Sequence, residues 1–199
     1  MDTLSGSNTA PGITYDDLRQ WLVQADRLGE VRTVKGATWQ KDIGMAAEAI
    51  LREDDSPCVV FEDIPGVPKG FRVLMNVFAG KRRNMTLGFA DHLTKTELSE
   101  AYYDTYLREP KTIPHKIVAD GPVLENVLTG DAIDVTKFPA PVWHPDDGGR
   151  YIGTGTYSVT MDPEEKWFNC GAYRAMVHDK TSVGCLMVPG KHGHIHREK

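Results

Sequence analysis

WFNCGAYRAMVHDK, residues 167–180, reads as a strand with the wrong residues for a buried one. A core strand favours Val and Ile. Here an asparagine, a glycine, a tyrosine and an arginine stand within six positions, Asn169 to Arg174. Side chains alternate faces along a regular strand, so Asn169 and Arg174, five apart, point to opposite sides. They serve one site only if the backbone bulges or turns between them. Gly171 is placed for such a bulge, or for close approach of a ligand to the backbone. The plainer alternative is an edge strand with a solvated arginine and a glycine at a bend.

The segments around it have the same short, β-like character. YIGTGTYSVTMD precedes it, with Asp162-Pro163-Glu164-Glu165 as the expected turn into the quoted strand, and SVGCLMVP follows. Upstream, KFPAPVWHPDDGGRY (137–151) is a loop rich in turn residues. Prolines at 110, 114, 122, 139, 141 and 145 leave little room for long helices. The second half therefore reads as antiparallel β, with a barrel as one outcome.

The first half reads differently. Thr14 is a candidate cap, with Asp16 and Asp17 suited to the positive end of a first helix. Leu18, Trp21, Leu22, Ala25 and Leu28 recur at helical spacing, and Gly29 closes it. Ile43, Ala46, Ala47, Ile50 and Leu51 predict a second helix. Cys58–Phe61 and Phe71–Phe78 predict buried strands, and Lys95–Arg108 a third helix ended by Pro110. Helices and strands alternate as far as about residue 115, so this half is α/β. Residues 1–13, small and polar, are expected to form a flexible tail.

The 199 residues suit one large or two small domains. Hydrophobic content of 40% and charged content of 26% are globular values. The net charge of −5 comes with no basic block, which argues against a nucleic-acid partner but not against one small anion in a local basic pocket. No apolar run is long enough for a membrane span and no secretory signal is visible, so a cytoplasmic protein is expected. Cys58, Cys170 and Cys185 form no disulfide or zinc pattern and are expected to be buried thiols.

Two other clusters invite functional readings. His192, His194 and His196 alternate, so an extended segment would set all three on one face, as a metal site or as an exposed polar tail. DDGGRYIGTGT (146–156) lacks a phosphate-loop pattern and reads as a hairpin entry or a flexible loop. Neither G-x-S-x-G nor H-E-x-x-H occurs.

Taken in order, WHPDDGGRYIGTGTYSVTMDP, DPEEKWFNCGAYRAMVHDK and PGKHG resemble the UbiD-type decarboxylase family over roughly residues 143–193. TYDDLRQWL near the start fits the family's N-terminal domain less specifically. The resemblance implies an α+β, or α/β, protein: an N-terminal α/β domain (14–115), then the first part of a split, flavin-reductase-like β-barrel that binds prenylated FMN (116–199). It implies decarboxylation, or its reverse, of a small aromatic or α,β-unsaturated carboxylic acid, a manganese ion beside the flavin phosphate, often a potassium ion, and a homo-oligomer in full-length form. By motif, Asn169 and His192 would be metal ligands. Gly171, Ala172, Tyr173 and Arg174 would line flavin and phosphate, Lys191 would contact the cofactor, and Arg174 would be catalytic.

The family's remaining metal ligand and its catalytic acids would fall after Lys199, and Glu164, Glu165 and Glu198 do not occupy their motifs. The chain is therefore expected to be the N-terminal part of such an enzyme, inactive alone. The alternatives are a non-catalytic UbiD-like subunit that completes its barrel with a partner chain, and an α/β domain with a metal-collecting histidine tail.

Overall fold

The computed structural model describes residues 12–53, 56–111, 114, 116–153 and 155–199. The tail expected over residues 1–13 falls almost wholly outside them. In chain order the elements are α1 (Leu18–Arg27), β1 (Val31–Lys35), α2 (Asp42–Leu51), β2 (Cys58–Glu62), β3 (Val73–Met75), α3 (Gly80–Thr86), α4 (Lys95–Tyr102), β4 (Tyr151–Gly153), β5 (Ser158–Met161), β6 (Phe168–Gly171), β7 (Ala175–Val177), β8 (Val183–Cys185) and α5 (His192–Glu198). Between α4 and β4 stand one π-helical turn, Tyr103–Leu107, and three short 3₁₀ turns. Strands β1-β2-β3 form one sheet in that order. The chain divides into two compact units: residues 1–32, 51–60 and 74–126, and residues 33–50, 61–73 and 127–199.

In the first unit, Trp21 and Ala25 of α1 pack on Cys58, with Tyr15, Leu22, Val31, Leu74, Val77 and Met85 around them. Burial pushes the Cys58 thiol up to about 11. The cap of α1 is Asp17, which accepts the Gln20 N–H at 2.8 Å. The Thr14 hydroxyl instead donates to Gln24 Oε1 at 2.9 Å, a correction to the expected cap. Cys170 and Cys185 are exposed, so only Cys58 is the expected buried thiol.

Beside this core lies a buried charge. Arg82, 1% exposed, pairs with Glu30 and donates to the carbonyls of Ser56 (2.9 Å) and Asn76 (3.1 Å). Asn76, at φ 58°, donates its side-chain amide to Ser56 Oγ at 2.8 Å and to the Pro57 carbonyl at 3.0 Å. Asparagine tolerates this left-handed backbone better than most residues. The turn ends β3 after Met75, so the long buried strand expected over 71–78 shrinks to three residues, with Phe71 and Phe78 exposed.

The helix expected over Lys95–Arg108 begins as drawn. Thr94 and Glu97 form a reciprocal capping box. It changes to π-helical geometry at Tyr103, where the Arg108 N–H bonds the Tyr103 carbonyl at 2.9 Å.

In the second unit, Gly44 of α2 approaches the chain at Val142–Trp143 so closely that a Cβ would stand 2.4 Å from the Trp143 carbonyl oxygen. Arg150 lies 4.1 Å over the Trp39 ring and donates to the carbonyls of Thr136, Phe138 and Ala140. Asp147 accepts the backbone N–H groups of Trp143 and His144. The glycine-rich stretch is thus tied down as the entry to β4.

The β-like segments then form two small antiparallel sheets, β4-β7-β8 and β5-β6. In the second, Thr160 faces Asn169 and Met161 faces Phe168. The whole is a mixed α/β fold.

Removing Arg82 leaves Glu30 and two backbone carbonyls without their donor. Arg82→Ala is expected to lower unfolding free energy by about 3–5 kcal/mol, read as a reduced urea midpoint. A loss below ~1 kcal/mol would mean the pair is not the anchor of this unit.

Candidate functional site

The segment quoted at the outset does break. β6 stops at Gly171 and β7 starts at Ala175, and the two pair in different sheets. Between them the Tyr173 carbonyl accepts the Thr156 hydroxyl at 2.8 Å, and the Arg174 carbonyl accepts the Leu186 N–H at 3.4 Å. Two of the carbonyls that leave the β5–β6 ladder are therefore satisfied elsewhere.

This break opens a cleft of about 480 Å³ lined by Asn169, Gly171, Ala172, Tyr173, Arg174, Leu186, Val188, Lys191 and His192. All seven residues singled out from the sequence line it. Asn169 and Arg174 share one cavity because residues 172–174 are not strand. Among the described residues the lining holds two cations, Arg174 and Lys191, and no carboxylate. Among the described residues neither side chain has an ion pair. The field in the cleft therefore favours an anion.

Asn169 is held tightly. Its amide Nδ2 donates to Thr160 Oγ1 and to the Tyr173 hydroxyl, each at 3.2 Å. The Tyr173 hydroxyl also accepts the Gly193 N–H at 3.0 Å. A Cβ on Gly171 would lie 2.8 Å from the Tyr173 ring, and one on Gly193 would lie 2.5 Å from its hydroxyl. These two glycines form the seat of the ring.

The histidines depart from expectation. Residues 192–198 are helical rather than extended. His192 and His196, four apart, fall on one side and His194 on another. The Trp167 ring packs edge-on against both, with centroids at 4.9 and 4.3 Å. His192 lines the cleft, whereas His196 is buried, with Nδ1 2.9 Å from Thr160 Oγ1 and Nε2 without a partner among the described residues. Sequence reasoning missed Thr160 and the distinct place of His196. Only the β5–β6 register, which sets Thr160 against Asn169, points to the first.

Among the described residues no three His, Cys, Asp or Glu side chains stand together as a metal cluster. The cleft itself offers an amide and an imidazole, an oxygen and a nitrogen donor of the kind a borderline-hard divalent ion takes. That is a partial ligand set that fits an ion also bound by groups from outside the chain.

The chain resembles known proteins over most of its length. Residues 116–199 match the UbiD family, described as 3-octaprenyl-4-hydroxybenzoate carboxy-lyase Rift-related domain. The chain is 28% identical over 194 residues to the pyrrole-2-carboxylic acid decarboxylase of Pseudomonas aeruginosa, covering 92% of this chain and 38% of that one. It is 25% identical over 197 residues to ferulic acid decarboxylase 1 of Saccharomyces cerevisiae, covering 92% and 37%. The open form of the vanillic acid decarboxylase of Sedimentibacter hydroxybenzoicus superposes with a TM-score of 0.75 at 28% identity, over 86% of this chain and 37% of that one. The UbiD-class enzyme HmfF of Pelotomaculum thermopropionicum, solved with FMN, shares the fold at a TM-score of 0.69 and 21% identity, over 89% and 38%. The UbiD match covers residues 116–199, less than half of the chain. The chain spans less than two fifths of the length of the curated decarboxylases it matches.

The turn that aims β6 rests on Asp162, 1% exposed, which accepts the N–H groups of Glu164 and Glu165 and an ammonium hydrogen of Lys199 at 2.8 Å. The Lys199 hydrogen bond, then the backbone donors, hold its carboxyl well below the usual carboxylate range. A depressed folded pKa stabilises above the unfolded value and loses that stability as pH falls through the folded one. Asp162→Asn is therefore expected to lower the melting temperature at pH 7. The gap to the native protein should narrow below about pH 4, where the unfolded carboxyl is protonated. A gap independent of pH would show that the charge of Asp162 is not what holds the turn.

Proposed function

We propose that the chain forms part of a prenylated-FMN-dependent decarboxylase acting on an aromatic or α,β-unsaturated carboxylic acid, with carboxylation as the reverse direction. The observation that carries this reading is the joining of Asn169, Arg174, Lys191 and His192 around one cleft with two cations and no carboxylate in its lining. The names of three relatives, decarboxylases of pyrrole-2-carboxylic, ferulic and vanillic acid, point the same way. In this reading residues 14–115 are the N-terminal α/β domain. Residues 116–199 are the first part of the split β-barrel that holds the flavin, and a longer polypeptide completes the barrel and assembles as a homo-oligomer.

Each residue then has a task that suits its chemistry. Asn169 Oδ1 and a His192 ring nitrogen would hold Mn²⁺, with K⁺ as a further counter-ion. Lys191 would meet the cofactor phosphate as a point charge. Gly171 and Ala172 would let the backbone approach the flavin, and Tyr173 would border it. Arg174 receives the substrate carboxylate on its planar two-hydrogen fork.

When the C–C bond to the carboxyl group breaks, the electron pair stays on the substrate carbon and CO₂ departs. The modified flavin supplies the electron sink for that pair. Arg174 orients the carboxylate before the break and balances the changing charge after it. The proton that replaces CO₂ comes from an acid outside this lining.

Arg174→Lys keeps the charge and loses the fork. In the full natural polypeptide it is expected to cut decarboxylation by about 10²–10³-fold, with flavin content by absorbance unchanged. Native-like turnover would remove Arg174 from the chemistry. A native mass spectrum of the protein from its source, carrying neither flavin nor metal, would overturn the reading as a whole.

A further inference from the structure

The cleft is built on one residue that joins its two halves. Asn169 sits on β6 and His192 opens α5, so nothing in the local backbone of either sets their mutual geometry. The Tyr173 hydroxyl touches both sides: it accepts an amide hydrogen of Asn169 at 3.2 Å and the Gly193 N–H of the first turn of α5 at 3.0 Å. Lys191, the residue that caps α5, makes no side-chain cap bond, so Tyr173 supplies that acceptor from a distant part of the chain. Its ring is seated where Gly171 and Gly193 have no Cβ.

We infer that Tyr173 is a positioning residue: its hydroxyl locks the Asn169 amide and the first turn of α5 into one geometry, so that the Asn169 oxygen and the His192 ring address a single divalent ion. The inference rests on the metal-binding part of the proposed function. The argument is one of hydrogen-bond capacity. An amide nitrogen has two hydrogens, and Asn169 places them on Thr160 Oγ1 and on Tyr173. With both engaged, Oδ1 is the atom left to face the cleft that Asn169 lines. Thr160 is itself held by His196 at 2.9 Å, so one side of the amide is anchored by β5 and α5 and the other by Tyr173. Without the Tyr173 hydroxyl the amide is free to turn about its last torsion, and α5 loses the acceptor at Gly193. Outer partners of this kind commonly change metal affinity by about 10- to 100-fold.

The test is Mn²⁺ titration of the full natural polypeptide, followed by the electron paramagnetic resonance of free and bound ion, for the native protein, Tyr173→Phe, Gly193→Ala and Asn169→Ala. Tyr173→Phe keeps the ring in its seat and deletes the hydroxyl. Gly193→Ala keeps the hydroxyl and drives it away, since the new Cβ would lie 2.5 Å from it.

The inference expects both variants to bind Mn²⁺ about 10- to 100-fold more weakly, with a changed bound-ion line shape at saturation and faster hydrogen exchange at residue 193. Far-UV circular dichroism should stay native. Should Tyr173→Phe fail to fold, the Gly193→Ala titration decides alone. Native-like affinity and line shape in the folded variants, with binding lost in Asn169→Ala, would overturn the role of Tyr173 and leave the proposed function standing. Mn²⁺ binding that survives Asn169→Ala, or none in the native protein, would overturn both.

Discussion

A strand that ran unbroken from Phe168 to Val177 would place Asn169 and Arg174 on opposite faces, because side chains alternate and five is odd. The chain avoids this by leaving the β5–β6 ladder after Gly171 and entering a second ladder at Ala175. Three residues, Ala172 to Arg174, carry no strand pairing, and their side chains all turn up in one cleft. The break is tolerable because Thr156 and Leu186 take two of the carbonyls that the ladder gives up. Everything else in the site follows from where those three residues point.

The two units handle positive charge in opposite ways. Arg82 is sealed in the first unit, and Glu30 with two carbonyls satisfies it completely. Such a cation serves the fold and has nothing left for a ligand. Arg174 and Lys191 in the second unit stand in an open cleft with no carboxylate beside them among the described residues. A cation kept away from internal partners is an incomplete arrangement that an anion completes. The same contrast separates Arg150, spent on three carbonyls and the Trp39 ring, from Arg174 only twenty-four positions along the chain.

Much of this was visible beforehand, and the reasons differ by element. Helices α1 and α2 show apolar residues at helical spacing, and a local pattern suffices to place them. The turn at Asp162-Pro163 carries its own chemistry. The misses have a common cause. Thr14 and Asp17 are both good caps, and only the geometry of the entering chain chose the second. Phe71–Phe78 is apolar enough for a long strand, but Asn76 is needed at Ser56 and Pro57, and its left-handed backbone ends the strand. The histidine tract has a two-residue period that suits a strand, yet it forms a helix whose first turn is held by Tyr173, in the break between β6 and β7, 20 residues away.

Residue types alone settled that an amide, a guanidinium, a lysine and an imidazole were available near two glycines, and the order of those residues was specific enough to point to the UbiD family. Their convergence was decided by the fold. A side chain's direction depends on where its strand stops and which strand it pairs with, and both depend on hydrogen-bond partners distant in sequence. The network of Thr160, Asn169, Tyr173, Gly193 and His196 spans 37 positions and three elements. No local pattern encodes it, because each bond forms only after β5, β6 and α5 have been brought together.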